Sequence, residues 1–157
     1  MASVRRLPRI LAVTITLGSQ GFLNDCSKSQ TVDLTQRTTL LPNRPLTFRA
    51  SRPLQVFANT NELCLEIAPP DRLNYPPDNG EWGIRRADGV LVRIGAAMLH
   101  ADSSADTLSA VGYSGDDCLR IGPSIYDSLH PPFVAARITA TDSVSVSSIS
   151  WLSWHHW

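Results

Sequence analysis

The spacing of the apolar residues constrains the fold more than any other feature of this chain. Val32 and Leu34 alternate with polar residues, as do Leu46, Phe48 and Ala50; Leu54, Val56 and Ala58; Leu63, Leu65 and Ile67; and Val134, Ala136, Ile138 and Ala140. A period of two lines one face of a strand with apolar side chains and leaves the other polar. Each run is short and ends in Pro, Gly, Asn or Asp, the spacing of a sandwich or a barrel. No segment supports an amphipathic helix longer than about two turns. Short helical turns fit only Ala96 to Ala105 and Pro123 to Leu129. A doubly wound α/β fold needs helices between its strands and is therefore disfavoured. The expected fold is all-β: a single antiparallel β-sandwich, jelly-roll or immunoglobulin-like, with little helix, over residues 31–157.

Two local features sharpen that expectation. Asp88-Gly89 sits between Ile84 and Ile94 and supplies the positive backbone angle of a tight hairpin turn. Near the C-terminus the apolar parity switches: Val144 and Val146 set one alternation, Ile149 and Trp151 the other, with Ser147 and Ser148 at the change. A β-bulge at the serines keeps all four side chains on the core face, and the strand is expected to run out past Trp151. Ala68 to Gly80 holds four prolines and reads as an ordered surface loop, since strands continue on both sides.

Arg5, Arg6 and Arg9 precede the apolar run Ile10 to Leu17, which is followed by Gly18, Ser19 and Gly21. This is the order of a secretory signal, and the run is far short of the roughly 20 residues that span a bilayer as a helix. The expected organisation is a signal peptide over residues 1–21, a flexible N-terminal segment over 22–30 and the sandwich beyond, with an extracytoplasmic location: periplasmic, secreted or envelope-associated. The alternative is that the run forms the first strand of a cytosolic fold. Cys26 lies where a lipid-modified cysteine would sit, but Asp25 directly before it argues against processing and for a free thiol.

The remaining cysteines share a local pattern. Glu62-Leu-Cys64-Leu-Glu-Ile67-Ala-Pro69 and Asp116-Asp-Cys118-Leu-Arg-Ile121-Gly-Pro123 both read acid, any residue, Cys, Leu, charged residue, Ile, small residue, Pro. Alternation puts Cys64 and Cys118 on the face opposite their Leu and Ile neighbours. In an oxidising compartment, two cysteines in matched strand settings are natural disulfide partners. In a reducing one they are small buried hydrophobes.

Lys and Arg number 14 and Asp and Glu 14, so the chain lacks the cationic surplus that phosphate neutralisation requires, and no nucleic-acid partner is expected. The stretch from Asp102 to Asp106 resembles a calcium loop, but Thr107 replaces its glycine and Tyr113 its closing glutamate, so no metal is expected. Gly112-Tyr-Ser114-Gly-Asp116 lacks the last glycine of a nucleophile elbow. His155 and His156 are adjacent, so a strand points them to opposite faces. His100 and Asp102 share a face without a third ligand. Glu62 and Glu66 stand roughly 13 Å apart along a strand, too far for a glycosidase pair.

Three of four tryptophans, Trp151, Trp154 and Trp157, fall in the last seven residues. Exposed indoles make platforms for sugar rings or a partner surface, so Trp154, His155, His156 and Trp157 form the candidate ligand-binding group. Against this, Trp151 is expected to plug the sandwich, with Trp154 and Trp157 covering its end. The stretch from Phe133 to Trp151 resembles the closing strands of galactose-binding-like jelly rolls, without any diagnostic motif, and assigns no family. The functional expectation is a non-catalytic binding or structural module without a cofactor, its partner a glycan or an envelope protein. The alternatives are a carbohydrate-binding module using the C-terminal tryptophans and a small hydrolase marked by His100 or His130 beside a carboxylate.

Overall fold

The computed structural model describes residues 28–57, 60–114, 118–122 and 131–155. Among them are eleven strands and no helix, so none is long and apolar enough to cross a membrane. The strands are β1 (Lys28–Leu40), β2 (Leu46–Leu54), β3 (Thr60–Ile67), β4 (Arg72–Leu73), β5 (Ile84–Arg85), β6 (Leu91–Val92), β7 (Ile94–Leu99), β8 (Ala105–Ser114), β9 (Cys118–Gly122), β10 (Phe133–Ala140) and β11 (Val144–His155). Ala96 to Ala105, where a helical turn was expected, is instead β7, a turn and the start of β8. Ala96 and Met98 are buried while their neighbours face outward, a strand's alternation. Pro123 to Leu129 lies outside the described residues.

Eight strands form one antiparallel sheet in the order β1-β11-β3-β9-β8-β7-β10-β2, and β4-β5-β6 form a second, small one. The large sheet curls until its ends nearly meet, so the architecture is barrel-like and not clearly the two-sheet sandwich expected. Two features explain the difference. First, β8 bridges what would be two sheets: Ala105 to Leu108 pair with β7 and Ser109 to Ser114 with β9, with an irregularity between Ala110 and Gly112. Second, β2 bulges away from β10 between its Arg49 and Leu54 pairings and reaches β1. There Arg52 Nη2 donates to Thr31 O at 2.9 Å, Gln30 Nε2 donates to Pro53 O at 3.1 Å, and Gln55 N donates to Gln30 Oε1 at 2.8 Å. Side chains thus fasten a seam where the backbone ladder stops.

An eight-stranded barrel has an interior just wide enough for side chains to fill. Here Trp151, Phe133, Leu63, Leu65, Met98 and Ile149 are completely buried in it, while Asp33, Arg49, Glu66 and Arg137 lie exposed on the outside. That distribution is the reverse of a lipid-facing barrel.

The alternation survives in detail. β3 reads buried at Leu63, Leu65 and Ile67. Val144, Val146, Ile149 and Trp151 are all at most 2% exposed, and the register of β11 against β3 slips between Val146 and Ser148. The extra residue at the serines therefore restores the inward parity, as the sequence pattern requires. β10 departs from its expected pattern at one end. The bulge against β2 turns Phe133 inward at 0% exposed, while Val134, expected on the core face, is only half-buried.

The Asp88-Gly89 hairpin forms as expected. Gly89 has φ +87° and donates to Arg86 O at 2.9 Å, and Arg86 N donates to Val90 O at 2.9 Å. Ile84 and Val92 pair across it and both enter the core. Within the proline-rich loop, Arg72 and Leu73 add the short strand β4 to this hairpin.

Candidate functional site

The outer face of β3, β9 and β11 carries the cysteines. Leu63, Leu65, Leu119 and Ile121 point inward, so Cys64, Cys118 and Arg120 take the other face. Cys64 is registered opposite Arg120 and Cys118 opposite Glu66, a diagonal placement across neighbouring strands. The two cysteines form a disulfide with Cα atoms 5.6 Å apart, inside the range such bonds allow. A groove of about 250 Å³ runs past it, lined by Glu66, Arg120, Ser148, Ser150 and Leu152.

Trp154 stands on this same surface. β11 does not run out after Trp151, as expected, but continues to His155, because β1 and β3 flank it on both sides: Trp154 pairs with Ser29 and Thr60. Alternation then puts buried Ser153 inside and half-buried Trp154 outside. The Arg120 guanidinium carbon lies 5.7 Å from the indole centroid, within cation–π range. One indole face is therefore covered by a cation. Of the expected ligand-binding group, His155 contributes its backbone to the strand. The side chain of His155, and His156, Trp157, Cys26, His130 and residues 1–21, lie outside the described residues.

Arg120 also meets Glu62, with Nη1 3.0 Å from Oε2 and the Glu62 side chain only 13% exposed. The contact is out of line for a hydrogen bond, and Glu62 Oε2 and Arg120 Nε are buried with no hydrogen-bond partner among the described residues. Burial pushes the Glu62 carboxyl above its ordinary range, and the charge of Arg120 draws it only partly back. Glu66 instead accepts from Ser148 Oγ at 2.8 Å in the open.

A histidine–carboxylate pair is the arrangement that supports a general base, and one is present. His100 Nε2 lies 3.1 Å from Asp106 Oδ2, and the ring stacks at a tilt on Phe133 at 4.8 Å. Phe133 in turn meets Trp151 edge-on at 5.7 Å. The pair spans the β7–β8 turn and packs on the aromatic end of the core, which gives it the part of a hairpin clasp. In the same turn, Asp102 Oδ1 accepts from Ser104 N at 2.9 Å and Ser104 Oγ at 2.6 Å, so its carboxylate is engaged locally. No group of three or more His, Cys, Asp or Glu poised to hold a metal occurs among the described residues.

A third locale was not singled out by the sequence. Around the small sheet, Tyr75 is 76% exposed and meets Tyr113 edge-on at 5.7 Å, and Trp82 lies tilted on the same tyrosine at 4.7 Å. Tyr113 is anchored by donating its hydroxyl to Asn74 O at 2.8 Å, and burial pushes its hydroxyl pKa up. Behind Trp82, Gly83 lets the chain pass close to β6: a Cβ there would fall 2.6 Å from Val92 O. The available signal was the crowding of Tyr75, Trp82 and four prolines into one short stretch, but Tyr113 joins them from a distant strand. No family model, no curated protein and no solved structure matches this chain.

Proposed function

We propose that this chain is a non-catalytic binding or structural module that works outside the reducing cytoplasm. The observation that carries the reading is the Cys64–Cys118 disulfide, which ties adjacent strands of the barrel wall. Disulfides persist in oxidising compartments and are rare in the cytosol. The Arg-rich start and short apolar run at residues 5–17 agree with export. The barrel interior supports the non-catalytic part: it is filled by Trp151, Phe133 and aliphatic side chains, so recognition falls to the outer walls and loops.

The test is fractionation of the native host with thiols trapped at lysis. The expected result is protein outside the cytoplasm, beginning near Phe22 or at a lipid-modified Cys26, with Cys64 and Cys118 protected from alkylation until a reductant is added. Intact Met1 in the cytoplasmic fraction, with both cysteines alkylated directly, would overturn the proposal.

A further inference from the structure

The recess beside Tyr75 has the makings of a ligand site. It measures about 290 Å³, at the small end of ligand pockets, which run roughly 300–1,000 Å³. Tyr75 forms one wall, while Arg72, Asn74, Asp78 and Arg85 supply the polar ones. Tyr75 is a large aromatic left 76% exposed, yet its ring is braced edge-on by Tyr113. Bracing of an exposed ring lowers the entropy lost when something stacks on it.

The polar wall is held in place before any ligand arrives. Asn74 is 4% exposed; its Nδ2 donates to Glu81 O at 3.0 Å and its Oδ1 accepts from Arg85 Nη2 at 3.0 Å. Arg85 also donates to Gly89 O at 2.8 Å and pairs with Asp78. Three of its five donors are thereby used, which fixes the guanidinium plane. Arg72 differs. It is registered directly opposite Arg85 across β4 and β5, and among the described residues it has no acidic partner. Like charges opposed across a strand pair destabilise the sheet. With Asp78 the only carboxylate among the described residues that line it, the recess carries one uncompensated positive charge from those residues.

From this geometry we infer that the recess beside Tyr75 binds a sugar unit bearing a carboxylate, its ring stacked on Tyr75 and its acid group held by Arg72. A pyranose presents a flat C–H face to an aromatic ring, hydroxyls that suit Asp78 and the spare donors of Arg85, and, in a uronic acid, a carboxylate matched to guanidinium geometry. Bare anions would use the arginines but leave Tyr75 idle, and neutral sugars would use Tyr75 but leave Arg72 uncompensated. The inference deepens the binding-module reading and relies on it only for where such a polymer is met. Binding itself is a property of the purified chain.

The experiment is calorimetric titration of the disulfide-intact protein with uronic-acid trisaccharides (galacturonate, glucuronate and mannuronate), their neutral counterparts and inorganic phosphate. At least one acidic trisaccharide is expected to bind about tenfold or more tightly than its neutral counterpart. Tyr75→Ala is expected to abolish that binding, Tyr75→Phe to keep it, and Arg72→Gln to weaken it about tenfold, the worth of one charge-assisted contact, with every variant folded and melting within about 4 °C of the parent. No binding by any acidic sugar would overturn the inference, as would equal binding of neutral sugars, saturation by phosphate alone with Tyr75→Ala unaffected, or unchanged affinity in both variants. None of these results bears on where the protein is located, which the fractionation decides separately.

Discussion

Replacing both bridging cysteines, Cys64→Ala with Cys118→Ala, removes a covalent constraint while leaving the barrel wall it spans paired by its own ladder. Cys64 and Cys118 are 54 residues apart in sequence and 5.6 Å apart between Cα atoms, on strands that pair from Leu63 to Glu66 in any case. The native state therefore already holds the geometry, and the effect falls on the unfolded chain, which regains the freedom of a 54-residue loop. The chain-entropy relation puts that at about 4 kcal/mol, a change of roughly a thousandfold in the folding constant. Urea unfolding followed by tryptophan fluorescence, on the oxidised protein, the reduced protein and the double variant, measures it. Both modified forms are expected to lose about 4 kcal/mol and to melt on the order of 10 °C lower. The denaturant slope of the oxidised form should be smaller, because its unfolded state exposes less surface. If reduction and double substitution each leave stability within about 1 kcal/mol of the parent, the unfolded-state argument is refuted.

Deleting Ser147 takes out the extra residue at the β11 slip and forces either Val144 with Val146 or Ile149 with Trp151 outward. The loss is roughly 1.5–3 kcal/mol for each side chain left unburied, whereas Ser147→Ala should stay within about 0.5 kcal/mol; a deletion variant as stable as its parent refutes the parity reading. Trp151→Ala empties the centre of the core, breaks the edge contact with Phe133 and removes the Nε1 donor to Gln55 O at 3.0 Å. It is expected to cost about 3–5 kcal/mol in chemical unfolding, and a cost under 1 kcal/mol would show that the barrel is not built around this indole. For Glu62, whose folded carboxyl is pushed by burial above the ordinary carboxylate range, the folded state binds more protons than the unfolded one, so stability falls as pH rises from the ordinary carboxylate range through the raised pKa. Glu62→Gln abolishes that segment, so unfolding curves between pH 4 and pH 7 should show the variant gaining on the parent as pH rises; a constant difference refutes the assignment.

Much of the architecture is legible without coordinates because it depends on neighbours in sequence. The inward faces of β3 and β11 follow from a period of two, the bulge at Ser147 and Ser148 from a break in that period, and the β5–β6 turn from Asp88-Gly89. The Cys64–Cys118 pairing followed from a repeated local context, which put both sulfurs on the same side of their strands. What the alternation cannot distinguish is a sandwich from a barrel, since both bury every second residue. That choice rests on β8 passing from β7 to β9 and on Arg52 and Gln30 each reaching across the seam between β1 and β2 to a backbone oxygen on the other side.

The same limit explains the sites. Trp154 sits on a described strand because β1 and β3 both flank it, and its partner Arg120 comes from β9, so sequence position near the C-terminus said nothing about its surroundings. Phe133 displaces Val134 from the core only through the bulge that β2 makes against β10. Tyr75, Trp82 and Tyr113 gather because β8 delivers Tyr113 to the proline-rich loop. Apolar faces, strand turns and the matching cysteines can be read along the chain, since each depends on backbone periodicity within a few residues. Closure, the cover over Trp154 and the recess at Tyr75 depend instead on groups far apart in the chain that meet once the sheet has curled.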